Sequence, residues 1–122
     1  MSARLAIFER LRFLMNVLFV CSRNQWRSPT AECVFRDQAG LNVRSAGTSA
    51  SARHRVSLKD VEWADIVFTM EKKHRSMLVA EFAEALGDKP MHVLDIPDEY
   101  RFMDSELVEQ LREQVGPLLG IV

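Results

Sequence analysis

Four short apolar runs punctuate the chain, at residues 16–20, 41–44, 66–70 and 91–94, and each is followed by a helical pattern or a turn. Runs of this length between turn signals read as strands buried on both faces. The intervening segments repeat their apolar positions at helical spacing. A first helix is expected to open near Ser28 with Pro29 in its first turn, to bury Ala31, Val34 and Phe35, and to end near Gly40. A short helix capped by Ser57 runs through Leu58 and Val61 to a strand that opens at Asp65. A third begins near Glu71, carries Met77, Leu78, Phe82 and Ala85 on one face, and is stopped by Gly87 and Pro90. The last is capped by Asp104 and buries Leu107, Val108, Leu111 and Val115 before Gly116 and Pro117 break it. The small-residue segment 45–52 reads as a loop.

Strand and helix alternate, which implies an α/β domain. With right-handed crossovers the four strands form one parallel sheet covered by helices on both faces: three layers, flavodoxin-like or Rossmann-like. In such sheets a ligand sits at the carboxyl ends of the strands, which directs attention to the residues after Val20. The domain is expected to span 16–122, with 1–15 as an extension. Glu9, Arg10 and Arg12 interrupt any apolar stretch there, so that segment fits neither a membrane span nor a signal peptide. It reads as a short helical extension or an upstream start, with Met15 as the natural beginning.

Composition narrows the function. The 122 residues are 48% hydrophobic and 27% charged, as in a soluble domain, and the formal net charge of -1 gives no reason to expect nucleic acid or membrane as a partner. An anion site must therefore be local. The basic end supplies one: Arg4, Arg10, Arg12, Arg23 and Arg27 face only Glu9 within residues 1–27. Two cysteines, Cys21 and Cys33, are too few for a disulfide framework and point to a reducing, cytoplasmic setting. His54, His74 and His92 lie outside metal-ligand spacing, so no metal is expected; His54, between Arg53 and Arg55, reads equally as part of a cationic rim that steers an anion or as part of a solvated basic loop. Trp63, Met70 and Met77 read as packing residues.

Directly after the first strand stands Cys21-Ser22-Arg23-Asn24-Gln25-Trp26-Arg27-Ser28, a cysteine and an arginine five residues apart at the doorway of a helix. A loop of that length can turn its amides inward to form an anion nest, and the helix N-terminus adds to the same field. Residues 22–28 thus form a phosphate-binding loop, open to a substrate phosphate or to inorganic phosphate or sulfate. Amide donors and a guanidinium favour a thiolate at Cys21, hence a nucleophile. The planar fork of Arg27 suits two phosphoryl oxygens, a geometry lysine lacks. Ser28 is placed to donate a hydroxyl to the sulfur.

The run VLFVCSRNQWRSPTAE resembles the signature of the low-molecular-weight protein tyrosine phosphatases. Further resemblance follows in order: Ser45-Ala46-Gly47-Thr48 after the second strand, residues 64–71 through the third, and Ile96-Pro97-Asp98-Glu99-Tyr100 in the aspartate-bearing loop. The resemblance implies a cofactor-free, two-step hydrolysis through phosphocysteine, acting on a phosphorylated protein or a small aryl phosphate. It makes Asp98 the general acid, with Asp95 and Glu99 as nearby competitors, and gives Asn24 and Ser45 the task of bracing the loop. It also implies that Tyr100 stacks on the substrate ring. Three departures stand out: Arg23 replaces a family glycine, Trp26 replaces a frequent second cysteine, and segment 45–64 is short, so a shallow cleft is expected. Cys33, off the buried helix face, reads as an inert packing thiol rather than a disulfide partner. Two other readings stay open: an arsenate reductase-like enzyme, for which only Cys33 could relay oxidation, and a non-catalytic phosphate-binding module.

Overall fold

The computed structural model describes residues 14–121. The helical extension expected within 1–15 therefore lies almost wholly outside the described residues. Eight main elements follow one another: β1 (Met15–Cys21), α1 (Arg27–Phe35), β2 (Leu41–Gly47), α2 (Leu58–Trp63), β3 (Ile66–Thr69), α3 (Lys72–Leu86), β4 (Met91–Val93) and α4 (Ser105–Val115), with a final 3-10 turn at Pro117–Leu119. The strands form one parallel sheet in the order β2-β1-β3-β4. This is the three-layer α/β fold that the alternation implied.

Adjacent residues on β1 and β3 enter opposite cores and residues two apart share one, as pleating requires. Val17, Phe19 and Cys21, with Ile66 and Phe68, meet Ala31 and Phe35 of α1 and Leu107, Leu111 and Val115 of α4. Leu18, Val20 and Val67 face the other way, against Val61 of α2 and Leu78 and Leu86 of α3. Phe19 anchors the first core by stacking on Phe35 (5.8 Å between ring centres) and Phe68 (5.3 Å), and burying a ring of that size contributes roughly 2–3 kcal/mol. Caps set the later helices. The Ser57 hydroxyl accepts from the Asp60 amide while the Asp60 carboxylate accepts from the Ser57 amide, and Asp104 accepts from the amides of Glu106 and Leu107.

Two boundaries differ from the sequence reading by more than a residue, and one helix is broken within. β2 runs through Gly47, because Ser45, Ala46 and Gly47 pair with Phe19, Val20 and Cys21; the loop begins only at Thr48. α1 ends at Phe35, and the chain then turns over 36–40 to Gly40, whose φ of 85° reverses it into β2. α3 carries a break at Phe82, where φ is -128° and ψ is 30°.

Candidate active site

The sheet order reverses at β1: the chain leaves it for β2 on one side and returns to β3 on the other. The loop after β1 therefore opens into the crevice where ligands bind in sheets of this kind. Its shape is imposed from outside. The amides of Thr48, Ser49 and Arg53 donate to the carbonyls of Cys21 (2.9 Å), Ser22 (2.9 Å) and Arg23 (3.0 Å). In a trans peptide the next N–H points opposite to the carbonyl, so the amides of Ser22, Arg23 and Asn24 turn away from this strap, as an anion nest requires.

The strap approaches closely enough to need glycine at 47. A Cβ there would lie 2.5 Å from the Ser22 carbonyl oxygen and 2.6 Å from the Ala52 Cβ. Gly47 also donates to the His54 carbonyl and accepts from the Val56 amide, both at 2.9 Å, closing the shortened segment on itself.

Asn24 takes the left-handed conformation at φ 53° and is buried. Its Nδ2 donates to Ser28 Oγ and Ser45 Oγ, each at 2.9 Å. Both hydroxyl oxygens thereby accept a hydrogen bond, which leaves their own O–H to donate elsewhere. Ser45 donates to Glu32 Oε1 at 2.6 Å, and Ser28 faces Cys21 Sγ at 3.0 Å. The Glu32 carboxylate thus orients Ser45, while the Ser28 hydroxyl has two acceptors in reach, the sulfur and the Ala46 carbonyl at 3.3 Å.

Arg27 is the largest fully buried side chain of the described residues, 2% exposed. Its Nη1 donates to Glu71 Oε2 at 2.6 Å and to the Ile96 carbonyl at 2.9 Å, which fixes the plane of the guanidinium. Its Nε lies 3.6 Å from Asp98 Oδ1. Burial pushes the Glu71 carboxyl up, but the hydrogen bond and charge of Arg27, with Lys73 and His74 adding, hold it below its ordinary value. His74, from the first turn of α3, reaches Ser22 Oγ with Nε2 at 2.8 Å while its Nδ1 accepts from the Glu71 amide at 3.0 Å. It is 1% exposed, and burial, followed by the charge of Arg27, lowers its pKa to about 4.

A cavity of about 180 Å³ opens over the loop, lined by Cys21, Arg23, Gln25, Trp26, Arg27 and Asp98. Ligand pockets for drug-sized molecules start near ~300 Å³, so this one suits a small group at its floor with the remainder outside. The structure thus brings Cys21, Arg27 and Asp98 to one cavity, while Ser22, Asn24 and Ser28 turn their side chains into the supporting network. Asp95 lines a different cavity with Glu71, Lys72, Lys73 and Pro97. Glu99 lines neither.

Two expectations are corrected. Tyr100 does not line the Cys21 cavity; it packs on the α1/α4 core, and its hydroxyl accepts from Gln110 Nε2 at 2.8 Å. Trp26, 37% exposed, is the aromatic that lines the mouth. His54 is turned to Asp60, with Nε2 2.8 Å from Oδ2, in a separate cavity beside Arg44 and Arg53, so it does not line the site. Nor does any residue of 45–64 line it. Cys21 is a buried free thiol and Cys33 a half-buried one. Sequence reasoning gave Glu32, Glu71 and His74 no part in the site. The available signal was the spacing of Glu71 and His74 at the end of β3, where the sheet opens.

Comparison with known proteins gives the site its context. Residues 16–62 match the family described as low molecular weight phosphotyrosine protein phosphatase. A curated protein-arginine-phosphatase of Bacillus subtilis (strain 168) is 30% identical over 95 residues, covering 56% of this chain and 63% of the relative, so the chain spans less than two thirds of that protein's length. Among solved structures, a low molecular weight protein tyrosine phosphatase from T. tengcongensis superposes with a TM-score of 0.73 at 23% identity, covering 87% of this chain and 98% of the other. Vibrio vulnificus Wzb in complex with benzylphosphonate gives a TM-score of 0.64 at 24% identity, covering 81% and 90%. The chain thus shares the fold of these structures, and its residues 16–62 are similar to a segment of the low molecular weight phosphotyrosine protein phosphatases.

Proposed function

We propose that this protein is a cysteine-dependent phosphatase that hydrolyses aryl phosphates, phosphotyrosine in a protein among them, through a cysteinyl-phosphate. The observation that carries the reading is the convergence of Cys21, the Arg27 guanidinium and Asp98 on one small cavity. Cys21 Sγ attacks phosphorus, the bond from phosphorus to the ester oxygen breaks, and Asp98 gives its proton to the departing oxygen. Water then attacks phosphorus, Asp98 takes the proton, and the phosphorus–sulfur bond breaks to return the thiolate, with Ser28 donating to it. Arg27, held by Glu71 and Ile96 through Nη1, presents its Nε–Nη2 edge to two phosphoryl oxygens throughout.

Trp26 supports an aryl leaving group, since a planar ring rising from the floor would meet it at the mouth. Benzylphosphonate in the Wzb structure is a ligand of that chemistry. A second reading, hydrolysis of phosphoarginine, is favoured by the name of the curated relatives. A nucleophile that must stay reduced supports a cytoplasmic setting; no helix of the described residues is long and apolar enough to cross a membrane.

The test is hydrolysis of para-nitrophenyl phosphate, a phosphotyrosine peptide and a phosphoarginine peptide by wild type, Cys21→Ser and Asp98→Ala. Turnover of the first two, abolished in Cys21→Ser and strongly reduced in Asp98→Ala, is the expected result. Preference for phosphoarginine would replace the substrate assignment and keep the chemistry. Folded wild type that binds phosphate but turns nothing over would make the protein a binding module.

A further inference from the structure

The first turn of α3 reaches both ends of the phosphate loop. Glu71 holds Arg27, the last residue of the loop, at 2.6 Å, and three residues later His74 reaches Ser22, the first residue after the nucleophile, at 2.8 Å. The imidazole has no freedom in how it does so. Its Nδ1 faces the Glu71 amide, which can only donate, so Nδ1 is the bare nitrogen and Nε2 carries the proton. Ser22 Oγ is thus an acceptor of the Nε2–H bond.

The charged groups around the ring are Arg27, Lys73, Glu71 and Asp98. Burial and the neighbouring cations keep the ring neutral, which preserves this single tautomer above mildly acidic pH.

Resting on the phosphatase reading, we propose that His74 is a positioning residue for the phosphate loop: by donating from Nε2 to Ser22 it fixes the turn directly after Cys21, and thereby the aim of the nucleophile and of the adjoining amides. The strap of Thr48, Ser49 and Arg53 grips the same loop only through its carbonyls, from the opposite side of the peptide planes. His74 holds it by a side chain instead, from the element that also orients Arg27. Register between nucleophile and clamp is therefore set by one rigid helix end rather than by two independent loops.

The two bonds of the ring can be separated. Asn at 74 places an acceptor where Nδ1 stands and keeps the Glu71 cap but falls short of Ser22; Gln places an amide donor near the position of Nε2. His74→Asn, His74→Gln, Ser22→Ala and the double variant His74→Asn/Ser22→Ala would be compared for para-nitrophenyl phosphate kcat and KM, affinity for inorganic phosphate, Tm, and the rate at which iodoacetamide alkylates Cys21, read on its own peptide by mass spectrometry.

The expected result is a loss of about tenfold in kcat/KM in His74→Asn, borne mainly by kcat, with slower Cys21 alkylation, and retention to within about threefold in His74→Gln. Ser22→Ala should match His74→Asn, and the double variant should lose no more than either. Equal behaviour of Asn and Gln, a wild-type-like Ser22→Ala, or losses that follow Tm alone would overturn the proposal. Phosphate affinity and Cys21 alkylation need no turnover, so they report on His74 even if wild type proves inactive, an outcome that would fall on the phosphatase reading instead.

Discussion

The floor and the mouth of the Cys21 cavity are built by opposite rules. At the floor Arg27, Asn24, Ser45 and His74 are buried and each is partnered: Arg27 by Glu71 and Ile96, Asn24 by two serines, Ser45 by Glu32, His74 by Ser22 and the Glu71 amide. At the mouth Arg23, Gln25 and Trp26 are exposed, Asp98 is 54% exposed, and Arg23 has no carboxylate within ion-pair distance among the described residues. A buried network costs several kcal/mol if left half satisfied, so the floor tolerates little change. The mouth is solvated, and what stands there can vary with the substrate. On the phosphatase reading, nucleophile and clamp thus sit in the buried regime, while the general acid Asp98 shares the solvated one with Arg23, Gln25 and Trp26.

Breaking the floor should have the largest effect. Arg27→Ala is expected to lower kcat/KM by about a thousandfold or more, and to lower stability by leaving the partly buried Glu71 with Lys73, 3.7 Å away, as its remaining cationic partner among the described residues. Para-nitrophenyl phosphate kinetics alongside urea unfolding would read both, and a variant retaining a tenth of wild-type activity would contradict the role given to Arg27.

Acid should loosen the floor next. Folded His74 has a pKa of about 4 against 6.5 in the unfolded chain, so between those values the unfolded state binds the extra proton. Stability is therefore full above about pH 6.5 and falls as pH drops toward 4, by on the order of 3 kcal/mol from this ring. Glu71 and Asp60, held below their ordinary values, extend the loss in the same direction at lower pH. Thermal melts across this range should show a shallower slope for His74→Gln; an unchanged slope would assign the acid sensitivity elsewhere.

Gly47→Ala should cost ~1–3 kcal/mol by displacing the strap, and activity should fall with it, because the clash is with the Ser22 carbonyl itself. Preserved activity in a destabilised variant would show that the strap supports the fold and not the loop. The smallest effect belongs to the mouth. Trp26→Ala should raise KM for a phosphotyrosine peptide severalfold, as loss of one ring contact implies, with a smaller change in kcat. A change confined to kcat would move Trp26 from the mouth to the floor.

Much of the floor was legible in the chain. Cys21, Arg27 and Ser28 stand at fixed offsets between an apolar strand and a helix start, so local geometry alone brings them around one turn. Asn24 and Ser45 entered through the resemblance, and the positive φ of Asn24 suits that residue type. The aromatic was misassigned because Tyr100 and Trp26 are equally aromatic in sequence, and only packing shows that Tyr100 is spent on the core and on Gln110. His54 drew attention by its arginine neighbours, yet the capping box of α2 places Asp60 where it takes that ring away from the site.

What the chain determined by itself is whatever depends on spacing and period: the four strands, although only β1 and β3 proved buried and the edge strands β2 and β4 partly so, the helices between them, and the order of nucleophile, clamp and helix start. Tertiary structure alone decided the partners drawn from afar. Glu71 and His74 lie 44 residues from Arg27 and 52 from Ser22 respectively, and the parallel pairing of β1 with β3 brings them together. No local pattern encodes that meeting, because a hydrogen bond across a sheet is specified by the register of two strands and not by the residues on either side of it.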